Sequence, residues 1–66
     1  MNIGESIREL RTYQNVTQKE LAERTGLSQQ HISDIENGKV IPTFATFEKI
    51  LEALNMFVKI EENKDK

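Results

Sequence analysis

The stretch TQKELAERTGLSQQHISDIENG, residues 17–38, holds two short segments with helical spacing of apolar residues, separated by a glycine. Leu21 lies in the first segment, and Ile32 and Ile35 lie in the second. Gly26 between them can adopt the positive φ that ends a helix in a tight turn. Two helices joined by about three residues in this way are typical of a helix-turn-helix. Helical hairpins without a DNA-binding role share these features, so the spacing alone leaves the function open.

The sequence around this pair predicts two further helices, and residues suited to N-cap positions indicate where each helix begins. Asn2 with Glu5 and Thr17 with Glu20 fit capping boxes, and Ser28 is a good N-cap. Pro42 and Thr43 can open the last helix. We therefore predict helices over 3–14, 17–25, 28–37 and 43–54. Their apolar faces carry Ile3, Ile7, Leu10 and Tyr13, then Leu21 and Ala22, then Ile32 and Ile35, and finally Phe44, Phe47, Ile50, Leu51 and Leu54.

Length and composition exclude several classes of protein. A chain of 66 residues makes one domain, which buries only about 60% of its unfolded surface. With no cysteine and one histidine it offers no disulfide and no metal site, and it has no nucleophile–base set or phosphate-binding glycine loop, so we expect neither an enzyme nor a cofactor. No apolar run suits a membrane span or a signal peptide, which favours a cytoplasmic protein. The net charge of −2 argues against general polyanion binding.

The end of the chain follows a different pattern. From residue 56 to 60 apolar side chains alternate with others, a period of two that predicts a β-strand. A lone strand leaves its backbone groups unpaired, and a second copy of the chain would pair them in an antiparallel ribbon. We therefore predict a helix-turn-helix domain over 1–55, a dimerisation strand over 56–60 and a disordered tail over 61–66. The residues expected at the dimer contact are Met56, Phe57, Val58 and Ile60.

The sequence TQKELAERTGLSQQHISDIENGKVIPTFATFEKILEALN, residues 17–55, with IRELR before it, resembles the Xre family of lambda-repressor-like helix-turn-helix proteins. The resemblance implies an all-α bundle in which 17–25 is the positioning helix and 28–37 the recognition helix. It also implies a partly buried ion pair between Arg11 and Glu36. Together with the predicted strand over 56–60, this gives a fold of about four helices and a short C-terminal strand that pairs across a dimer.

Polar residues of the third helix lie opposite Ile32 and Ile35, where a recognition helix faces the major groove. Glutamine can form two hydrogen bonds with adenine, so Gln29 and Gln30 are well suited to reading bases. The resemblance places the family's base-contacting positions on Gln29, Gln30 and Asp34, with Ser33 beside them, so the expected base-contacting residues are these four. The resemblance matches Gln18 to a family glutamine that bonds phosphate. The expected phosphate-contacting residues are Thr17, Gln18, Ser28, His31, Asn37, Gly38 and Lys39. For His31, plain solvation is an equal alternative.

These features predict a sequence-specific DNA-binding regulator, a repressor that reads a palindromic operator in double-stranded DNA as a homodimer. The segment FEKILEALNMFVKI also resembles the end of HipB-type antitoxins. That likeness implies an alternative, an antitoxin that binds a partner toxin and represses its own operon. A third hypothesis is a scaffold with this fold that binds no DNA, which the acidic net charge keeps open.

Overall fold

The computed structural model describes residues 2–57, which form four α-helices. They are α1 (Ile3–Tyr13), α2 (Gln18–Thr25), α3 (Gln29–Glu36) and α4 (Phe44–Ala53). Each begins and ends within one residue of its predicted bounds, and every difference is an N-cap or C-cap residue that the prediction includes in the helix. The all-helical prediction is confirmed for the described part of the chain. No helix between residues 2 and 57 is long and apolar enough to cross a membrane.

A polar side chain caps the start of every helix. Thr17 forms a complete capping box with Glu20, and Gly26 ends α2 with a φ of 77°, in the left-handed region. Ser28 Oγ accepts a hydrogen bond from the His31 N–H at 3.0 Å, and Thr43 caps α4 in the same way. At α1, Asn2 accepts from two backbone N–H groups. These bonds satisfy N–H groups that a helix cannot pair internally.

The core lies where α3 packs against α1 and α2, and α4 packs against α2. Its buried members are Ile7, Val16, Leu21, Ala22, Ile32, Ile35, Ile50 and Leu54. Three residues expected on the apolar faces are instead largely exposed: Ile3 at 43%, Tyr13 at 87% and Phe44 at 53%. Each stands at the first or last position of its helix, where the side chain lies beyond the packed neighbours.

The first turn of α1 lies directly against the end of α3 at Gly4. A Cβ built on Gly4 would collide with the carbonyl oxygen of Ile35 and would lie 2.8 Å from that of Glu36. Real Cβ atoms do not approach backbone oxygens so closely. The absence of a side chain therefore lets α1 touch the backbone of α3, which fixes the position of the candidate recognition helix.

The predicted C-terminal strand falls mostly outside the described residues. Met56 and Phe57 have no regular secondary structure, and their side chains are 42% and 76% exposed. Val58 and Ile60, like the predicted tail over 61–66, lie outside the described residues. The strand and the dimer contact therefore stay predictions.

Candidate nucleic-acid interface

One face of α3 is polar and open to solvent, and the opposite face is buried. Gln29 and Gln30 are exposed in the first turn, while Ile32 and Ile35 are 0% and 1% exposed. Ser33 and Asp34, one turn further on, are partly buried. The four predicted base-contacting residues therefore share the accessible side of one helix.

The start of α2 lies beside this face. Gln18, Gln29, Gln30 and Ser33 line a shallow pocket of about 320 Å³ whose wall is mostly polar. The N-termini of α2 and α3 each leave backbone N–H groups without an intrahelical acceptor, and helix dipoles make such ends attractive to anions. The structure thus brings predicted base-contacting and phosphate-contacting positions together.

The N-cap hydroxyls of Thr17 and Ser28 differ in whether a proton remains free to donate to an anion. Both the N–H and the hydroxyl of Thr17 donate to Glu20 Oε1, at 3.2 and 3.3 Å. Ser28 Oγ accepts from His31 N, which leaves its own proton free to donate. Of these two predicted phosphate contacts, Ser28 is therefore the better placed. His31 itself is partly buried, and its backbone N–H is used by Ser28.

Two residues of the open face are bonded to each other. Gln30 Nε2 donates to Asp34 Oδ1 at 2.9 Å, across one turn of α3. An ionised carboxylate only accepts hydrogen bonds, so Asp34 binds the nitrogen end of the Gln30 amide.

Glu36, at the last position of α3, is the acceptor of a network that joins three helices. Arg11 Nε donates to its Oε2 at 2.6 Å, and Arg11 Nη2 donates to its Oε1 at 3.0 Å. Gln18 Nε2 and Arg8 Nε donate to the same Oε1, at 3.1 and 3.4 Å. The Glu36 side chain is fully buried, and that of Arg11 is 11% exposed. The ion pair implied by the family resemblance is present in the structure.

The charge state of Glu36 follows from this network. Burial by itself raises the pKa of the Glu36 carboxyl, because desolvation disfavours the charged form. The hydrogen bonds from Arg11 and Gln18, the positive charge of Arg11 and the hydrogen bond from Arg8 act the other way. Together these effects outweigh the effect of burial, so the pKa of Glu36 lies below its ordinary value and the residue is ionised at neutral pH.

Arg8, which the sequence pattern did not single out, is also a member of this network. Its Nη2 donates to the backbone oxygen of Glu36 at 3.3 Å and to Asn37 Oδ1 at 2.6 Å. Arg8 thereby holds the C-terminal end of α3 against α1. The available signal was its spacing: Arg8 lies three residues before Arg11, so both side chains project from the same face of α1.

The remaining predicted phosphate contacts lie just after α3. Asn37 caps the helix, accepts from Arg8 and donates through Nδ2 to Ser33 Oγ at 3.3 Å. Gly38 has a φ of 77°, and Lys39 is exposed. Asn37 and Gln18 each keep one side-chain N–H for another acceptor, because an amide NH2 has two hydrogens.

Comparisons with known proteins agree with this geometry. A family model described as helix-turn-helix matches residues 7–62. The transcriptional repressor RghR of Bacillus subtilis is 43% identical over 56 residues, which cover 83% of this chain and 42% of the repressor. The immunity repressor of Bacillus phage phi105 is 34% identical over 58 residues, which cover 88% of this chain and 40% of the repressor. The chain therefore spans less than half the length of either relative.

Among solved structures, a chain of a HipA-HipB-O2-O3 complex superimposes with a TM-score of 0.76 at 32% identity. The superposition covers 94% of this chain and 87% of that chain. With the family match extending over most of its length, this chain belongs to the Xre-like helix-turn-helix family.

Proposed function

We propose that this chain is a sequence-specific DNA-binding transcription regulator that places α3 in the major groove of double-stranded DNA. The observation that carries the proposal is the open polar face of α3, with two exposed glutamines in its first turn, beside the N-terminus of α2. Recognition helices of this class meet base edges with their N-terminal residues. Relatives named as repressors support a regulatory role.

In this proposal the face of α3 that carries Gln29, Gln30, Ser33 and Asp34 is directed at the base edges. The glutamine amides supply a donor and an acceptor, which match N7 and N6 of adenine. Ser33 Oγ already accepts from Asn37, so its own proton is the group that it offers to a base.

Phosphate contacts hold α3 in register. Gln18 contributes its backbone N–H and its second Nε2 hydrogen, since the first is bonded to Glu36. Further contacts come from Thr17 at the start of α2 and from groups at the two ends of α3, which are Ser28, His31, Asn37, Gly38 and Lys39. Thr17 contributes by capping α2 rather than by its own donors, which Glu20 occupies.

The regulator acts as a homodimer on a palindromic operator. The described face offers few cationic side chains, and the net charge of the chain is −2, so each half-site contact is weak. Two recognition helices held on half-sites about 34 Å apart would raise the affinity, because once the first is bound the second binds as an intramolecular event. Residues 56–60 are the proposed contact, and the exposed apolar side chains of Met56 and Phe57 at its start support this.

A HipB-like antitoxin that binds a toxin protein is compatible with the same structural likeness, and no contact within residues 2–57 favours it over a regulator without such a partner. The cytoplasmic location stays a prediction.

The test begins with selection of bound sequences from random DNA duplexes. Gln29→Ala and Gln30→Ala should each weaken binding to the selected site by about 1–3 kcal/mol and change binding to random duplex little. Glu52→Gln, on exposed α4 surface, is the control and should leave site preference unchanged. Equal losses on both DNAs would contradict base reading by these residues, and failure to select any sequence would contradict the proposed function.

A further inference from the structure

Asp34 places a negative charge on the face of α3 that we direct at DNA, where phosphates repel it. Its Oδ1 accepts a hydrogen bond from Gln30 Nε2 at 2.9 Å. Because the ionised carboxylate cannot donate, it accepts only from the nitrogen end of the amide. The charge of Asp34 therefore decides which way the Gln30 amide is turned.

The direction of that amide matters for reading a base. The two ends of a glutamine amide have nearly the same shape, so an isolated side chain can present oxygen and nitrogen in either order. With one Nε2 hydrogen bonded to Asp34, Gln30 retains one N–H donor and the Oε1 acceptor in a fixed order. Adjacent donor and acceptor groups match N7 and N6 of adenine, whereas guanine presents two acceptors at the corresponding positions.

Resting on the proposed function, we infer that Asp34 is a specificity-determining residue that acts through Gln30 rather than by contacting a base. It holds the Gln30 amide in the order that reads adenine, and its charge weakens binding to all DNA. Specificity is a difference between two affinities, so the repulsion, which acts on all DNA alike, cancels, and the oriented Gln30 amide supplies the discrimination. This differs from the base contact that the family resemblance implies for Asp34.

The test compares wild type with Asp34→Asn, which removes the charge and lets the new amide bond either end of Gln30. Three duplexes are used: the selected site, the same site with its adenine replaced, and a random sequence. The variant should bind random duplex more tightly, with a gain that shrinks as salt is raised. The ratio of its affinity for the selected site to its affinity for the adenine-replaced site should fall about 5-fold or more. That fall is equivalent to losing one oriented amide contact.

Glu52→Gln is the matched control, because it makes the same change in net charge on the exposed surface of α4. It should leave discrimination unchanged and tighten random binding less than Asp34→Asn does. Thermal unfolding of both variants checks that the helices remain folded.

A second arm places Asp34→Asn in a Gln30→Ala background. There it should still tighten binding to random duplex but no longer change discrimination, since the amide that it orients is gone. If discrimination still fell in that background, Asp34 would contact a base directly and the inference would be wrong. If wild type binds its selected site and Asp34→Asn still discriminates against the replaced adenine as well as wild type does, the inference is wrong but the proposed function stands. Wild type that binds no selected duplex would overturn the proposed function beneath it.

Discussion

Glu36 accepts hydrogen bonds from Arg11, Gln18 and Arg8, which come from α1 and α2, while Glu36 itself ends α3. An ionised carboxylate that is fully buried is stable only when such donors replace its water. The position of α3 therefore depends in part on one buried charge. The candidate DNA contact Gln18 is a member of the same network, so the network links helix packing to the interface.

The pKa of Glu36 makes the stability of the domain sensitive to acid. The folded-state pKa lies below the ordinary value of about 4.3 that the unfolded chain shows, so the unfolded state binds its proton first as the pH falls. The stabilisation by this group is fully present above about pH 5 and is lost as the pH falls through the folded pKa. Urea unfolding of wild type between about pH 7 and pH 3 should show this loss.

Glu36→Gln removes the titrating group and keeps its size. It should be less stable than wild type at neutral pH, because two arginines lose a buried charged partner, and its stability should fall less on acidification. Glu52→Gln, an exposed carboxyl on α4, serves as the control and should follow the wild-type profile. Parallel pH profiles for wild type and Glu36→Gln would show that Glu36 contributes nothing to acid sensitivity.

Residue-level prediction succeeded where local chemistry decides and failed where distant residues meet. N-cap roles for Thr17 and Ser28 follow from neighbours within three positions, and the structure has them. The contacts of Arg8 and Gln18 with Glu36 join residues 28 and 18 positions apart, and only the packing of three helices creates them. The Arg11–Glu36 pair was anticipated through the family resemblance rather than from spacing.

At the scale of the elements, the contact between α1 and α3 at Gly4 sets how the recognition helix is held. The boundaries of all four helices were predictable, because capping residues and apolar spacing are local signals. The close approach at Gly4 was not, since a glycine in the first turn of a helix gives no sign of which backbone will lie against it. The exposure of Tyr13 and Phe44 likewise depends on where the neighbouring helices end.

Gly4→Ala should therefore destabilise the fold. In an unhindered helix this change stabilises by up to about 1 kcal/mol, because alanine favours the helix. Here the added methyl meets the carbonyl oxygens of Ile35 and Glu36, so α1 must move, and we expect a loss of about 1–3 kcal/mol or more. Glu9→Ala, an exposed position of the same helix, is the control for helix propensity. Denaturant unfolding measures both, and a stabilised Gly4→Ala variant would contradict the close contact.

For the whole molecule, the proposed function depends on whether two copies of α3 are held at a fixed distance. Residues 2–57 form a four-helix unit whose buried core draws on all four helices. The unit itself presents few positive charges to DNA. A second copy is therefore the feature of the proposal on which operator affinity depends most.

The dimer contact is tested by changing residues 56–66 alone. Val58→Pro would remove a backbone donor from the proposed ribbon, and deletion of residues 56–66 would remove the ribbon entirely. Either change should shift the protein toward monomer in analytical ultracentrifugation and weaken binding to a palindromic site much more than binding to a single half-site. Lys59→Ala, in the same segment but keeping its backbone donor, is the control and should remain a dimer. A truncated chain that stays a dimer with unchanged operator affinity would place the two-fold contact elsewhere, with exposed Phe44 on α4 the first position to examine.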